Sequence, residues 1–95
     1  MAAYLIANVD VKDAVGYERY RQLVPPTIEK YGGKYLARGG RAEQLEGQWG
    51  PKRVVVLEFE SVEQAKRWYA SEEYREAKAI RVKTAVTDVI VVEGV

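Results

Sequence analysis

The spacing of apolar residues changes from every second position to every third or fourth and back again, twice within 95 residues. Alternation at period two predicts a strand, and spacing near 3.6 predicts a helix. The predicted order is therefore strand, helix, strand, strand, helix, strand. One α+β domain over residues 1–95 follows, with the ferredoxin-like βαββαβ plan and an antiparallel sheet whose helices lie on one face.

The first half contains one strand, one helix and a second strand. The strand is predicted over residues 4–11, and Asp13 is placed to cap the helix that follows. Because proline lacks a backbone N–H, Pro25 and Pro26 predict that this helix kinks or restarts. Its apolar stripe consists of Tyr17, Tyr20, Val24, Ile28 and Tyr31.

Glycines mark the end of the first helix and the end of the second strand. Gly32 and Gly33 supply the helix stop. The second strand is predicted over residues 34–41, where Gly39 and Gly40 indicate a bulge or a close backbone approach.

The second half is predicted from a strongly aliphatic strand and two serine caps. Residues 53–59 form a strand expected at the centre of the sheet. Ser61 with Gln64 makes a capping box, and Ser71 begins a further helical segment before a last strand over residues 87–93. The inward residues of these helices are predicted to be Val62, Ala65, Trp68, Tyr69, Tyr74, Ala77, Ile80 and Ala85.

Alternation along the strands assigns side chains to the two faces of the sheet. The set expected to meet the helices is Leu5, Ala7, Val9, Val55, Leu57 and Phe59. The opposite face includes Ile6, Val54 and Val56, and its apolar residues predict a homodimer formed through this sheet face. Arg38 and Glu58 are predicted to lie opposite each other there, as a charge pair.

The amino-acid composition excludes several kinds of partner and catalytic site. With 15 basic and 14 acidic residues the net charge is +1, which disfavours nucleic acid or an anionic membrane as a partner. There is no cysteine and no histidine, so thiolate zinc sites, cysteine nucleophiles and the commonest general base and haem ligand are absent. We expect a cytoplasmic protein with no metal and no cofactor.

A resemblance to a known family is carried by the run Tyr31–Gly40, then Glu46-Gly47 with Trp49, then Val55–Phe59, then Trp68–Ser71 and Glu73-Tyr74. Nearly the whole chain resembles the domain of unknown function 1330 family. The resemblance implies a subunit of the dimeric α/β-barrel superfamily, in which two sheets face each other, and implies no established reaction. Related branches include cofactor-independent oxygenases, lactone isomerases and haem enzymes; the haem branch fits poorly in a chain without histidine.

Aromatic residues on the predicted helices either fill the core or line a cleft for a flat organic ligand, and both interpretations stay open. Polar residues near such a cleft hold an anionic ligand group in one interpretation and form interface salt bridges in the other. Trp49, in the loop before residue 53, either closes over the pocket or anchors the loop. The candidate ligand-binding residues are Asn8, Tyr20, Arg38, Trp49, Glu58, Trp68, Tyr69 and Arg81.

Two functional hypotheses follow from these residues. The first is a small dimeric enzyme that acts without a cofactor on an aromatic or carboxylate-bearing metabolite. The second is a non-catalytic dimeric module that binds a small molecule or serves a structural purpose, which the lack of histidine and cysteine favours. The sequence assigns no catalytic residue.

Overall fold

The structure, a computed structural model, describes residues 1–95. Its four strands are β1 (Ala3–Val11), β2 (Lys34–Arg38), β3 (Arg53–Phe59) and β4 (Ala85–Glu93), and its three helices are α1 (Ala14–Lys30), α2 (Val62–Tyr69) and α3 (Glu72–Thr84). The strands form one antiparallel sheet in the order β2-β3-β1-β4, which confirms the predicted ferredoxin-like plan and the central place of β3. No helix combines the length and the apolar character needed to cross a bilayer.

Each helix begins at the cap that the sequence predicts. The side chains of Asp13, Ser61 and Ser71 accept hydrogen bonds from the backbone N–H groups three residues later, at 3.1, 3.1 and 3.2 Å. These bonds satisfy N–H groups that have no partner within the helix. Local sequence therefore sets where each helix starts.

The α1 helix runs without interruption through Pro25 and Pro26, so the predicted restart is wrong. Val24 and Ile28, on either side of the prolines, are both buried, and their packing keeps the helix in place. Pro25 has no N–H to donate to the carbonyl of Arg21, four residues earlier. That carbonyl instead accepts a hydrogen bond from the Arg38 guanidinium, at 2.7 Å.

The β2 strand is shorter than predicted and carries its irregularity earlier. It ends at Arg38, and its pairing with β3 shifts between Tyr35 and Ala37, so the extra residue is Leu36 and not a glycine. A one-residue insertion reverses the alternation beyond it. Tyr35 therefore pairs with Leu57, and Arg38 pairs with Val55, which both belong to the helix-facing set.

The predicted pairing of Arg38 with Glu58 is wrong for the same reason. Glu58 lies opposite Lys34 and forms an ion pair with it at 3.2 Å. Without the bulge, Lys34 and Arg38 would share a face; with it, only Lys34 stays with Glu58. Arg38 is thereby directed toward the helices.

The core lies between the sheet and the helices, as predicted for Leu5, Ala7, Val9, Leu57 and Phe59, which are all buried. On α3 the buried residues are Tyr74, Ala77, Arg81 and Thr84, whereas Ile80 is only partly buried. Ala85 is buried as the first residue of β4, so this strand starts two residues earlier than predicted. In this turn of α3 the buried side chain is therefore Arg81, and not its neighbour Ile80 as the sequence predicts.

One end of this layer, which we call the packed end, is formed by Ile28, Gly33, Phe59 and Trp68. The rings of Phe59 and Trp68 are 5.6 Å apart. A Cβ atom on Gly33 would overlap the side chains of both Phe59 and Ile28. Only glycine fits there, because the interior is close-packed.

The face of the sheet away from the helices, which we call the open face, is apolar and uncovered. Val86, Ile90 and Val92 on β4 are 63%, 58% and 44% exposed. Ile6 on β1 pairs with Ile90 on one side and with Val56 on the other, so the apolar surface continues across three strands.

Candidate functional site

A cavity lies between the helix-facing side of the sheet and helices α1, α2 and α3. Its space is about 510 Å³ when the open mouth is included, but it is narrow, and only about 40 Å³ of it can be reached by the centre of a water molecule. We call it the arginine cavity, because its lining includes four arginines and no acidic residue: Leu5, Ala7, Val9, Tyr17, Tyr20, Arg21, Val24, Ile28, Tyr35, Arg38, Arg53, Val55, Leu57, Trp68, Tyr69, Tyr74, Arg81, Thr87 and Val89.

Arg81 is the most deeply placed of these charges. It lies on the buried face of α3, one turn beyond Ala77, and only 7% of its surface is exposed. It has no carboxylate within salt-bridge distance, and its Nε atom is buried without a hydrogen-bond partner. Burial alone would lower the pKa of Arg81, but the oxygens of Tyr74, Tyr20 and Tyr69 raise it above its ordinary value. The guanidinium is therefore charged.

Arg53 enters the cavity from the first residue of β3. Its guanidinium carbon lies 5.7 Å from the centre of the Tyr17 ring, in a cation–π arrangement. The group passes directly over Gly39, where φ is +72° and where any Cβ would overlap the guanidinium. Gly39 thus provides both the left-handed turn after β2 and the space for Arg53.

Arg38 and Arg21 complete the cluster on the same side of the cavity. The Arg38 guanidinium carbon lies 4.7 Å from the centre of the Tyr35 ring. The guanidinium donates to the Arg21 carbonyl, which receives no backbone hydrogen bond from Pro25. Arg21 itself contacts an exposed carboxylate, Glu18, at 3.2 Å. Arg38 and Arg53 have no carboxylate partner.

The buried unpartnered polar atoms of the chain converge on this one cavity. They are the Nε atoms of Arg21, Arg53 and Arg81 and the Oγ1 atom of Thr87. All four residues line the arginine cavity. A buried donor without a partner destabilises a fold by about 1–3 kcal/mol, so such atoms are rare and point to a missing partner. Guanidinium donors with no acid nearby suit an anionic partner.

Tyrosine hydroxyls form the neutral polar part of the lining. The Tyr20 and Tyr74 hydroxyls are hydrogen-bonded to each other at 2.9 Å. Burial and the adjacent Tyr74 raise the pKa of Tyr20 far above its ordinary value, and burial likewise raises the pKa values of Tyr74 and Tyr35. All three are neutral near pH 7 and act there as hydrogen-bond donors and acceptors, not as bases.

The arrangement can hold an anion and stabilise negative charge on an oxygen atom. Four guanidinium groups supply fixed positive charge, and burial strengthens the field of Arg81, which is the buried one of the four. The lining has no carboxylate, imidazole or thiolate, so these residues do not make a metal site and offer no general base near neutral pH.

Five of the eight predicted site residues lie together at this cavity: Tyr20, Arg38, Trp68, Tyr69 and Arg81. The other three lie elsewhere. Asn8 is on the opposite side of β1, where its Oδ1 accepts a bond from the Lys52 backbone N–H at 2.9 Å. Glu58 is on the open face with Lys34. Trp49 is 66% exposed in the loop before β3 and does not touch the cavity.

Three polar, non-aromatic residues of the lining are absent from the predicted set: Arg21, Arg53 and Thr87. Side-chain alternation along the strands could have identified two of them. Arg53 is on the same face as Val55 and Leu57, and Thr87 is on the same face as Val89. Arg21 lies four residues after Tyr17 and three before Val24, which places it on the buried stripe of α1.

Comparisons with solved structures agree with this architecture. A protein of unknown function from Rhodopseudomonas palustris superposes with a TM-score of 0.78 at 22% identity, covering 99% of this chain and 82% of that one. A dimeric ferredoxin-like protein of unknown function from Jannaschia sp. CCS1 gives 0.74 at 8% identity, with 99% and 100% covered. SnoaB, a cofactor-independent oxygenase from Streptomyces nogalater, gives 0.59 at 8% identity, with 99% and 93% covered. Likeness at these identities shows the fold alone.

No curated protein matches the chain. The model of one protein family does match it, and the match extends over residues 2–95. That range includes every strand and helix and all of the arginine cavity. The chain therefore belongs to the family of the domain of unknown function DUF1330.

Proposed function

We propose that the protein binds a small, flat organic anion, such as an aromatic carboxylate, in the arginine cavity. The observation that supports this most directly is the convergence of four buried unpartnered atoms, from Arg21, Arg53, Arg81 and Thr87, on one cavity without an acidic residue. A carboxylate accepts two or more charge-assisted hydrogen bonds and would satisfy the atoms of Arg21 and Arg53, which lie on the same side of the cavity as Arg38. The tyrosine rings around it suit an apolar, planar body.

Entry of such a ligand requires the cavity to widen, because most of its space is too narrow even for a water molecule. Arg38 and Arg53 are the side chains that move. Arg38 is exposed and Arg53 is half-buried; their guanidinium groups lie over the rings of Tyr35 and Tyr17, and Arg38 also donates to the Arg21 carbonyl. A change of rotamer at either arginine opens the mouth without disturbing the packed end.

Calorimetric titration with benzoate tests the proposal, and neutral benzamide is the matched ligand. Benzoate is expected to bind at millimolar or lower concentration, and benzamide is not, because only the carboxylate compensates the guanidinium charge. Arg53→Gln should weaken benzoate binding about tenfold or more. Arg75→Gln is the control, because Arg75 is exposed and pairs only with Glu72. Equal affinity for benzoate and benzamide would contradict the proposal.

A second candidate is a cofactor-independent enzyme acting on such an anion. It is favoured by neutral tyrosine hydroxyls beside fixed positive charge, a combination that stabilises negative charge developing on a substrate oxygen. The likeness of fold to SnoaB suggests oxygen as a co-substrate to test. Oxygen uptake with hydroxylated polycyclic aromatics, lost in Arg53→Gln and Tyr20→Phe, would support this candidate. If oxygen uptake is no faster than in buffer, the enzyme candidate is wrong and ligand binding remains the only proposed function.

The protein is further proposed to act as a homodimer through the open face. The apolar surface across Ile6, Val56 and Ile90 is suited to a second copy of itself. The dimeric relative from Jannaschia has the same fold. Ile90→Glu should yield a monomer by light scattering, because it places a charge at the centre of the interface. Val15→Glu, at an exposed position on α1, is the control and should leave the mass unchanged. A monomeric wild-type protein at tens of micromolar would contradict the proposal.

A further inference from the structure

The unpartnered groups of the arginine cavity lie on two sides of a single residue. Val9 on β1 pairs with Arg53 on β3 and with Thr87 on β4, and all three side chains line the cavity. Neighbouring strands are 4.7–4.9 Å apart, so the backbones of Arg53 and Thr87 are roughly 10 Å apart. The cavity thus has one set of donors on each side of Val9.

Each side is reinforced from a second element. On the Arg53 side, the Arg38 guanidinium donates to the Arg21 backbone carbonyl at 2.7 Å, and the Arg53 guanidinium donates to the Arg38 backbone carbonyl at 3.5 Å, so side chain and backbone link these three residues in sequence. On the Thr87 side, Arg81 comes from α3, and both residues also line an adjoining groove between α3 and β4. Buried unpartnered atoms occur on both sides.

The arginine charges on the two sides also leave room for two anionic groups. Arg38, Arg53 and Arg81 have no carboxylate partner, and Arg21 has only the exposed Glu18. A ligand with one carboxylate can satisfy one side and leaves the guanidinium on the other side buried and uncompensated. Val9 lies between the two sides, and the lining also has apolar and aromatic residues, among them Val89, Tyr20 and Tyr74. Such a lining suits a flat hydrocarbon spacer.

We propose that the ligand of this site is a dicarboxylate whose two acid groups lie at opposite ends of a planar spacer. One carboxylate binds the Arg21, Arg38 and Arg53 side, and the other binds Arg81 and Thr87. This inference rests on the proposed anion-binding function and names its ligand class.

Terephthalate, phthalate and benzoate are the probes, because they share one ring and differ only in the number and placement of carboxylates. Titration calorimetry on the wild-type protein is expected to show terephthalate binding about tenfold tighter than benzoate, since it adds a second set of charge-assisted bonds. Phthalate, whose two carboxylates are adjacent, should gain less because it reaches one side only.

Thr87→Val locates the second carboxylate, because it removes the hydroxyl and keeps the shape of the side chain. It should weaken terephthalate about fivefold and leave benzoate unchanged, since benzoate uses the three-arginine side. Arg75→Gln, on the exposed surface of α3, should change neither affinity. The denaturation midpoint of Thr87→Val confirms that the variant is folded.

The outcomes separate this inference from the proposed function. Benzoate binding with no gain for terephthalate would overturn the dicarboxylate and leave the anion site standing. Equal loss of both ligands in Thr87→Val would also overturn it, because the hydroxyl would then not act on a second group. Failure of all three ligands to bind would overturn both proposals.

Discussion

The two ends of the layer between sheet and helices treat their polar atoms in opposite ways. At the packed end, the Trp68 indole N–H donates to the Thr27 hydroxyl at 3.0 Å, and that hydroxyl donates to the Val24 carbonyl at 2.7 Å. At the other end, Arg53, Arg81 and Thr87 keep unpartnered atoms around a cavity. Trp68 also lines the cavity from the packed end, yet its N–H has a partner, whereas the buried atoms of the arginines do not. The unsatisfied end marks where a ligand completes the structure.

The largest expected effect comes from emptying the packed end. Trp68→Ala removes a buried ring that packs 4.1 Å from Tyr74 and 5.6 Å from Phe59, and should lower the free energy of unfolding by about 3–5 kcal/mol. Chemical denaturation followed by circular dichroism measures it. A loss below about 1 kcal/mol would mean that this end is not the stabilising one.

The next effect has the opposite sign and belongs to the arginine cavity. Arg81→Met replaces a buried charge by an apolar side chain of similar length, and should raise the unfolding free energy by about 1–3 kcal/mol in the absence of ligand. The same variant should lose the tighter binding of terephthalate. A less stable Arg81→Met protein would show that the guanidinium already has adequate partners, and the contrast between the ends would fail.

A smaller effect is expected from the backbone carbonyl of Arg21, which accepts a hydrogen bond from Arg38 beside the cavity. Pro25→Ala restores an N–H that can bond to the Arg21 carbonyl, which then competes with the Arg38 guanidinium for that acceptor. Benzoate affinity should fall about threefold, because Arg38 is held less firmly. Pro26→Ala is the matched control, since no side chain donates to the carbonyl of Gln22. Equal effects of the two substitutions on calorimetric affinity would rule out this role for Pro25.

The smallest effect concerns a surface contact that joins α1 to α3 near the packed end. Hydrogen bonds from Lys30 and then Tyr31 lower the pKa of Glu73 from 4.5 to about 2. A carboxyl with a lowered folded-state pKa stabilises the fold above pH 4.5, and this contribution is lost as the pH falls toward 2. The melting temperature should therefore decline less steeply across that interval in Glu73→Gln than in the wild type. Identical slopes would show that this exposed pair contributes nothing.

The sequence predicts the fold well because its determinants are local. Periodicity gives the order of elements, and Asp13, Ser61 and Ser71 mark the helix starts where the structure has them. The restart at Pro25 was predicted wrongly because tertiary burial of Val24 and Ile28 outweighs a local preference. Helix propensity describes an isolated segment, whereas α1 is packed against the rest of the protein.

The site was only partly predictable, because it depends on register. The extra residue at Leu36 moves the Arg38 side chain from the open face to the cavity. Leucine is not typical of β-bulges, so the sequence does not predict a bulge at this position. Alternation along β1 and β3 already places Asn8 and Glu58 on the open face, so only a site at the dimer interface could have included them. Arg81 was predicted, but its lack of a partner appears only when every neighbouring element is in place.

The four strands are a single layer shared by the cavity and the open face. Thr87 lines the cavity while Val86, the residue before it, is exposed on the other side, and Arg53 and Val54 divide in the same way. If a second copy covers the open face, ligand and partner subunit act on the two sides of one sheet. Thermodynamic linkage then makes any influence reciprocal: a ligand that strengthens association by some factor is itself bound more tightly by the dimer, by that same factor.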